Sequence, residues 1–406
     1  MDLDYDVIIV GGGPAGLTIA EKLAKAKKKT IVLEKNTQIG YPVRTTGGTW
    51  IRDMHDIGIP ENLYHIVSKC RFVSPNKEVV ISYPKKEACI LDVTKTYKFL
   101  ANKAITAGAQ ISLNIKVLNP IIKDSYIKGV KVQVNKKNIS LYSKILIDAS
   151  GSAAVIAKKV GLQGKLKRYG VGAEYELYTP DFNLDETIII LDNEIAPSGY
   201  GWIVPCDNKK LRVGIAVIYP DSKVHPKLYL DKLIDGYYKF KHIFKDSKKL
   251  EYHNGIIPSA GLIKGFVNNG LMVVGDAAGQ SSPLIGEGIR YVIYAGQLAG
   301  KVAIEAIDKS NYSKKFLYKY EKAWRKKFER NHKIALKINR KIASFTGDKW
   351  DKYLDYLENM TSQQLIKFFR NEFGIWWALS IFFRNPKLSS IILKELTNPF
   401  SKLFTN

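Results

Sequence analysis

Cysteine is scarce, and none of it is spaced for chemistry. The three thiols among 406 residues, Cys70, Cys89 and Cys206, form no CxxC pair. They supply neither a disulfide framework nor the ligand set of an iron–sulfur cluster, and they fit a reducing compartment. The six histidines show no metal-ligand spacing, so no structural or catalytic metal is expected. No apolar run approaches the roughly 20 residues of a membrane-spanning helix. The N-terminus, Met1-Asp2-Leu3-Asp4, leads into a core strand rather than a signal peptide. A cytoplasmic protein is expected, peripheral to a membrane surface at most.

Acidic residues are in deficit. Lysine and arginine number 63 against 38 aspartates and glutamates, a net charge of +25. Such an excess attracts polyanions: nucleic acid, an anionic membrane surface or acidic substrates. A lysine-rich composition without functional meaning accounts for it equally, because runs such as Lys27-Lys28-Lys29, Lys85-Lys86 and Lys136-Lys137 fall at expected turns and helix ends. No RNA-binding motif accompanies the charge, so nucleic acid is not the favoured partner. Length and composition, 46% hydrophobic and 25% charged, suit a globular protein of two or three domains.

What the chain does have is concentrated at its start. Val7 to Lys35 reads VIIVGGGPAGLTIAEKLAKAKKKTIVLEK. An apolar run enters Gly11-Gly12-Gly13-Pro14-Ala15-Gly16. A helical face of Leu17, Ala20, Leu23 and Ala24 follows, and a second apolar run, Thr30 to Leu33, ends in Glu34. Strand, glycine turn, helix, strand and acid together form a dinucleotide-binding unit. Gly11 permits the tight turn, Gly13 lets the backbone approach a pyrophosphate, and Gly16 lets the helix pack on the strand. Pro14 and Ala15 belong to the same turn, and the helix start offers N–H groups and a positive dipole end to phosphate. Glu34, 18 residues after Gly16, is placed for the ribose hydroxyls, with Lys35 beside it.

Further along, residues 39–49 form a loop that is expected to lie along the dinucleotide, with Arg44 facing a phosphate or the flavin edge. Residues 70–84 read as a small hairpin. Thr94 to Ala107 reads as a helix with an inner stripe of Leu100, Ala101, Ala104 and Ile105, closed by Gly108. A strand is expected over 109–117, a hairpin over 127–134 and 138–141, and an apolar strand over 143–151 ending in Asp148-Ala149-Ser150-Gly151. Between 165 and 260 alternating strands suggest an antiparallel sheet; residues 227–243 read as one basic, aromatic helix. Gly270 to Gly275 is another buried strand, followed by Asp276. Gly286-Glu287-Gly288-Ile289-Arg290 then opens a long helix whose first N–H groups suit a negative centre such as the N1–O2 edge of a reduced flavin. Residues 311–406 are mostly helical and basic. There Trp376, Trp377, Phe382 and Phe383, near Arg370 and Arg384, read either as a tryptophan-bearing membrane-interface element or as a terminal helix packed on its own domain.

GGGPAG with Glu34, the DASG strand end, and GDAAG followed by GEGIR together resemble the flavoprotein fold of p-hydroxybenzoate-hydroxylase-like enzymes, over residues 1–155 and 265–310. The resemblance implies FAD, with Gly275 and Asp276 at the ribitol and Gly286, Gly288 and Ile289 at the isoalloxazine. A narrower resemblance is to archaeal geranylgeranyl reductases of the digeranylgeranylglycerophospholipid-reductase kind. PSGYGWIVP resembles their PxxYxWxFP motif through Pro197, Tyr200, Trp202 and Pro205, with Val204 for the usual Phe. GYPVRTTGG resembles their PVRCxxG flavin loop, with Thr45 in place of Cys. Tyr320 to Phe328, YEKAWRKKF, is similar to their helical tail. An arginine that family carries near position 93 is absent.

Carried onto this chain, the resemblance implies FAD contacts at Ala15, Glu34, Thr45, Thr46, Gly48, Val117, Asp276, Gly288 and Ile289. It puts Tyr200 and Trp202 on the wall of a lipid tunnel beside Pro197 and Pro205, and makes Thr45, Tyr200 and Trp202 the catalytic candidates. The fold expected is α/β, α+β overall. A Rossmann-type FAD-binding domain of the glutathione-reductase/p-hydroxybenzoate-hydroxylase kind spans 1–160 and 261–310, an inserted antiparallel substrate domain spans 161–260, and a helical C-terminal domain spans 311–406. The implied reaction is reduction of C=C bonds in a geranylgeranyl or polyprenyl lipid by hydride transfer from reduced flavin, as in the making of archaeal membrane lipids. The alternative is an FAD-dependent monooxygenase of an aromatic or polyprenyl substrate. Two other classes stay in view: a nucleic-acid-binding flavoprotein and a dehydrogenase passing electrons to quinone. The proton donor is open between Tyr200 and water. With no second dinucleotide fingerprint, the electron donor is open between NAD(P)H and an acidic ferredoxin-like protein.

Overall fold

Unbroken apolar runs become parallel strands where both faces of the sheet are buried, as at Val7 to Val10. The computed structural model describes residues 3–382 apart from 181, 184 and 208. Tyr5–Val10 (β1), Pro14–Lys25 (α1) and Thr30–Leu33 (β2) form the expected opening unit. Leu17, Ile19 and Leu23 of α1 are fully buried, each such burial worth about 1.5–3 kcal/mol. Gly48–Trp50 (β3), Ile51–Asp56 (α2), Tyr64–Val67 (β4), Lys69–Val73 (β5), Glu78–Ser82 (β6) and Ala88–Leu91 (β7) precede Val93–Thr106 (α3). The Asp92 carboxylate caps α3 by accepting from the Lys95 N–H at 3.0 Å. Leu100, Ala101 and Ala104 face inward as expected, but Ile105 is exposed. It lies 100° past Ala104 on the helix, beyond the edge of the buried stripe.

Gln110–Ser112 (β8), Lys116–Lys123 (β9), Tyr126–Val134 (β10), Lys137–Asp148 (β11) and Val155–Lys159 (α4) follow. Two expectations are corrected here. The strand over 109–117 is broken, with Asn114 at φ +57° between β8 and β9. The second hairpin strand and the strand ending at Asp148 are a single strand: β11 pairs antiparallel with β10 over 137–142 and parallel with β1 over 143–148. Its sequence changes accordingly, from mixed polar residues to Ile145-Leu146-Ile147.

Tyr169–Tyr178 (β12), Glu186–Ile190 (β13), Gly199–Asp207 (β14), Lys210–Tyr219 (β15) and Lys248–Pro258 (β16) build the second sheet, in the order β16-β12-β15-β14-β13-β5-β6. The 70–84 hairpin is therefore not free-standing; β5 joins this sheet parallel to β13. Pro226–Gly236 (α5) and Lys241–Phe244 (α6) cover it. The single helix expected over 227–243 is interrupted after Gly236, where Tyr237 is extended.

Val267–Asn268 (β17) and Leu271–Val273 (β18) return the chain to the first sheet, whose order is β17-β18-β11-β1-β2-β8. Ile289–Asp308 (α7) packs its alanines and glycines against α1. Lys314–Ile342 (α8), Gly347–Glu358 (α9), Ser362–Phe369 (α10) and Ile375–Phe382 (α11) complete the described chain. Of the expected aromatic patch, Phe383 and Arg384 lie outside the described residues. Trp376 is 81% exposed, whereas Trp377 and Arg370 are buried. Among the described residues no helix is long and apolar enough to cross a membrane.

Candidate active site

One cavity of about 550 Å³ joins the carboxyl ends of β1, β11 and β18 to the second sheet and to α8–α11, a volume within the usual range of ligand sites. Its first end is made of backbone. Gly13, Pro14 and Ala15 come from the turn before α1, Ala149 and Gly151 from the end of β11, and Gly275 and Asp276 from beyond β18. Gly286, Gly288 and Ile289 come from the start of α7. Gly11 holds the turn at φ +107°, where a Cβ would lie 2.4 Å from the Ala149 carbonyl oxygen. A Cβ at Gly13 would meet nothing within 4 Å, so the space before α1 is open. The residues preceding α1 and α7, Gly13 and Gly288, have no side chains with which to cap them. The Asp276 carboxylate accepts from the Ser281 hydroxyl, and burial pushes its pKa up. Open space, two helix starts without side-chain caps and a carboxylate able to take hydroxyls fit the pyrophosphate, ribityl chain and ring edge of a flavin dinucleotide.

The expected cofactor residues divide into two groups. Arg44, Thr45, Thr46 and Gly48 line the cavity with the backbone end just described. Gly11 and Gly16 lie behind the turn. Glu34, Lys35 and Val117 are outside the lining. The Glu34 carboxylate accepts from the N–H of Gly12 at 2.8 Å and of Asn36 at 2.9 Å, bracing the glycine turn.

The middle of the cavity holds a polar group that the sequence reading missed. Glu174 of β12 is buried, and its carboxylate accepts from the Thr46 hydroxyl, the Trp202 indole N–H at 2.8 Å and His253 Nδ1 at 3.0 Å. Burial opposes its charge, but His253, Arg212, Thr46 and Trp202 outweigh it and hold the pKa below the usual carboxylate value. The local pattern hides it: in Val171 to Tyr178 the apolar residues Val171, Ala173, Tyr175 and Leu177 share one face, which leaves Glu174 with Gly172 and Glu176 on the face that alternation reads as solvated.

The far end is apolar. Tyr200 and Trp202 stand there as expected, with ring centroids 5.7 Å apart. Tyr200 donates its hydroxyl to the Ile285 carbonyl at 2.6 Å, and burial pushes the phenol up to about 12. Its proton is thus engaged with a backbone carbonyl and weakly acidic. Pro197 and Pro205 lie outside the lining. The rest of the wall comes from the C-terminal helices: Phe345, Trp350, Leu357, Phe368, Phe373 and Trp377. The aromatic patch read as an interface element or a packed terminus is in part the wall of this chamber. On α8 the lining stripe Ile334, Lys337, Ile338, Lys341, Ile342 carries two lysines one turn apart, Lys341 being exposed at the rim.

These helices are fastened by a buried ionic network. Arg290 donates to Glu287 at 2.8 Å and to the Arg370 carbonyl at 2.7 Å. The Arg370 guanidinium pairs with Asp53 and, at 2.8 Å, with Glu372.

Comparison with known proteins bears on this site. The protein-family model described as Lycopene cyclase protein matches residues 6–390. The digeranylgeranylglycerophospholipid reductase of Methanocaldococcus jannaschii is 32% identical over 373 residues, covering 90% of this chain and 93% of that protein. The crystal structure of a geranylgeranyl bacteriochlorophyll reductase-like protein from Thermoplasma acidophilum matches with a TM-score of 0.85 and 27% identity, covering 97% of this chain and 98% of the other. A flavin-dependent brominase shares the fold at a TM-score of 0.68 and 19% identity, over 97% of this chain and 94% of the other.

Proposed function

The chain belongs to the geranylgeranyl reductase family of FAD-dependent oxidoreductases, and from that premise we propose that it reduces C=C bonds of a geranylgeranyl or other polyprenyl lipid held in the apolar end of its cavity. One observation carries the reading: the dinucleotide end and the aromatic chamber are a single cavity, so a chain lying in the chamber ends against the cofactor site. FAD, when bound and reduced, supplies two electrons and one of the two hydrogens that the alkene gains.

The chain's own residues do the remaining work. Gly13 to Ala15 and the start of α1 would hold the pyrophosphate, Asp276 would take ribityl hydroxyls, and Gly288 and Ile289 would offer N–H groups to the ring edge. The loop with Arg44, Thr45, Thr46 and Gly48 would face the ring, with the Thr45 hydroxyl where the family motif carries a thiol. Tyr200 and Trp202, each tied by a hydrogen bond, form a fixed wall that aligns the chain and excludes water. A lipid substrate resides in a bilayer, so the enzyme works at a lipid surface, and a net charge of +25 favours anionic headgroups. The same charge suits an acidic ferredoxin-like electron donor.

The test is anaerobic. The purified flavoprotein is reduced with dithionite, mixed with a geranylgeranyl lipid under argon, and the product mass is read. A gain of two hydrogens per double bond, with flavin reoxidation, is expected. No mass change under argon, with a product that gains oxygen in air, overturns the reading in favour of the monooxygenase.

A second prediction concerns the rim. Lys341→Glu is expected to raise KM about tenfold for a phosphate-bearing geranylgeranyl lipid, equivalent to about 1.4 kcal/mol of lost attraction. The KM for uncharged geranylgeraniol should hardly change. Equal effects on both substrates would place the headgroup elsewhere.

A further inference from the structure

Reduction of an isolated alkene needs a proton as well as a hydrogen carrying an electron pair, and the Tyr200 hydroxyl already donates to the Ile285 carbonyl. We infer that Glu174, His253 and Glu251 form a relay that carries this proton from solvent into the chamber. The inference rests on the prenyl-reduction reading above.

The geometry follows from strand register. β12 and β16 are antiparallel, with Glu174 opposite His253 and Glu176 opposite Glu251. His253 and Glu251, two residues apart, share one face. His253 is 4% exposed and lines the cavity, as Glu174 does. Its Nδ1 meets Glu174 Oε1 at 3.0 Å. Its Nε2 is buried without a hydrogen-bond partner, and Glu251 Oε2 stands 3.5 Å away. Glu251 is half-exposed. The order from outside inward is therefore solvent, Glu251, His253, Glu174, chamber. On its other oxygen Glu174 is held by Thr46 of the flavin loop and by Trp202 of the chamber wall, so the relay ends between cofactor site and substrate wall.

The surrounding charges set the resting state. Arg212 of β15 lies over the pair. It donates to the carbonyls of Thr46 at 2.7 Å and Leu91 at 3.1 Å and approaches Glu176 at 3.5 Å. Lys210 also faces Glu176, at 3.5 Å, and the Cys206 thiol of β14, pushed up to about 12 by burial, stays neutral. Burial acts against a cationic imidazole, but the Glu174 and Glu251 carboxylates outweigh it, and His253 sits above the ordinary imidazole value. The pair is thereby biased toward carboxylate and imidazolium, and the proton the relay carries is held on His253.

In the step, the alkene π bond breaks. One carbon takes a hydrogen with its electron pair from the reduced flavin. The other takes a proton from Glu174, which receives it from the His253 imidazolium. The flavin is oxidised, the alkene is reduced, and His253 is reprotonated through Glu251. A second buried carboxyl lines the same cavity. Glu287 pairs with Arg290 through Oε2, while its Oε1 has no hydrogen-bond partner, so it is the rival donor.

Two measurements test the relay. The first uses the flavin-free chain labelled at histidine Cε1 and follows the His253 resonance against pH by NMR. The wild-type signal should titrate above an ordinary histidine, and Glu174→Gln should move the midpoint down. A midpoint at or below the ordinary value in the wild type overturns the proposal. The second measures reoxidation of pre-reduced flavoprotein by a geranylgeranyl lipid under argon. The wild-type rate should fall as pH rises through the His253 midpoint, because the proton-carrying form is lost. Glu174→Gln should slow it about 100- to 1,000-fold and flatten the profile, and His253→Gln should flatten it also, with the flavin spectrum unchanged in both. If wild type reduces the lipid and Glu174→Gln keeps its rate and profile, or Glu287→Gln alone flattens it, the relay is wrong. If wild type reduces no lipid, the function reading fails instead.

Discussion

Alanine at Gly13 is expected to leave the flavin-free chain as heat-stable as wild type, within about 0.5 kcal/mol, while FAD affinity falls about 10- to 100-fold. The backbone there, φ −82° and ψ 178°, is open to any residue. The added methyl meets no atom within 4 Å. Two small effects on the apoprotein oppose each other: alanine is a poorer N-cap than glycine, and it narrows the unfolded ensemble. The methyl nevertheless occupies the space in front of α1 through which a pyrophosphate must approach, so its cost appears only when the cofactor binds. Gly16→Ala provides the contrast. Its Cβ would lie 2.2 Å from the Gly11 carbonyl oxygen, so backbone must move and both melting temperature and affinity should drop. Differential scanning calorimetry of the apoproteins and fluorescence titration with FAD separate the two. Wild-type affinity in Gly13→Ala would mean that the pyrophosphate does not sit on this turn.

How legible this site was depends on the range of the interactions that build it. The glycine turn, the DASG strand end and GDAAG are local: each is a few residues whose φ angles and steric needs are met by neighbours in sequence, and all could be read in advance. Tyr200 and Trp202 were singled out by the resemblance of PSGYGWIVP to a family motif, and as alternate residues of one strand they share a face. Glu174 and His253 were not readable, because 79 residues separate them and only the register of β12 with β16 joins them. The hairpin read over 70–84 looked self-contained, since nothing local told that β5 would pair parallel with β13. Trp376 and Trp377 show the limit most plainly. They are adjacent and chemically identical, yet one is exposed and the other lines the chamber, packed on Phe368 and Phe373 with its indole N–H donated to the Gln364 carbonyl at 2.9 Å.

Arg370→Ala is expected to destabilise the chain by about 3–5 kcal/mol, the usual result of removing one partner from a buried ion pair. The guanidinium is buried between Asp53 and Glu372 and lies over the Trp50 ring at 5.7 Å. Its loss strands Asp53 near Glu287, a carboxyl that burial already pushes above the ordinary range and that Arg290 and Arg370 help hold down. Without Arg370 the Glu287 pKa rises further. A group whose folded pKa exceeds its unfolded value favours folding as it takes up its proton. The deficit of the variant should therefore narrow as pH is lowered from 7 toward about 5, and a merely empty cavity would show no such trend. Because this network also holds Glu287 and Arg290 beside Gly288 and Ile289 at the start of α7, the variant should lose lipid turnover and part of its FAD affinity together. Pairing Arg370→Ala with Asp53→Asn should recover part of the loss, and the coupling read from that double-mutant cycle measures the pair directly. An unchanged melting temperature in the single variant, at any pH, would mean that the chamber roof is held by its aromatic packing alone.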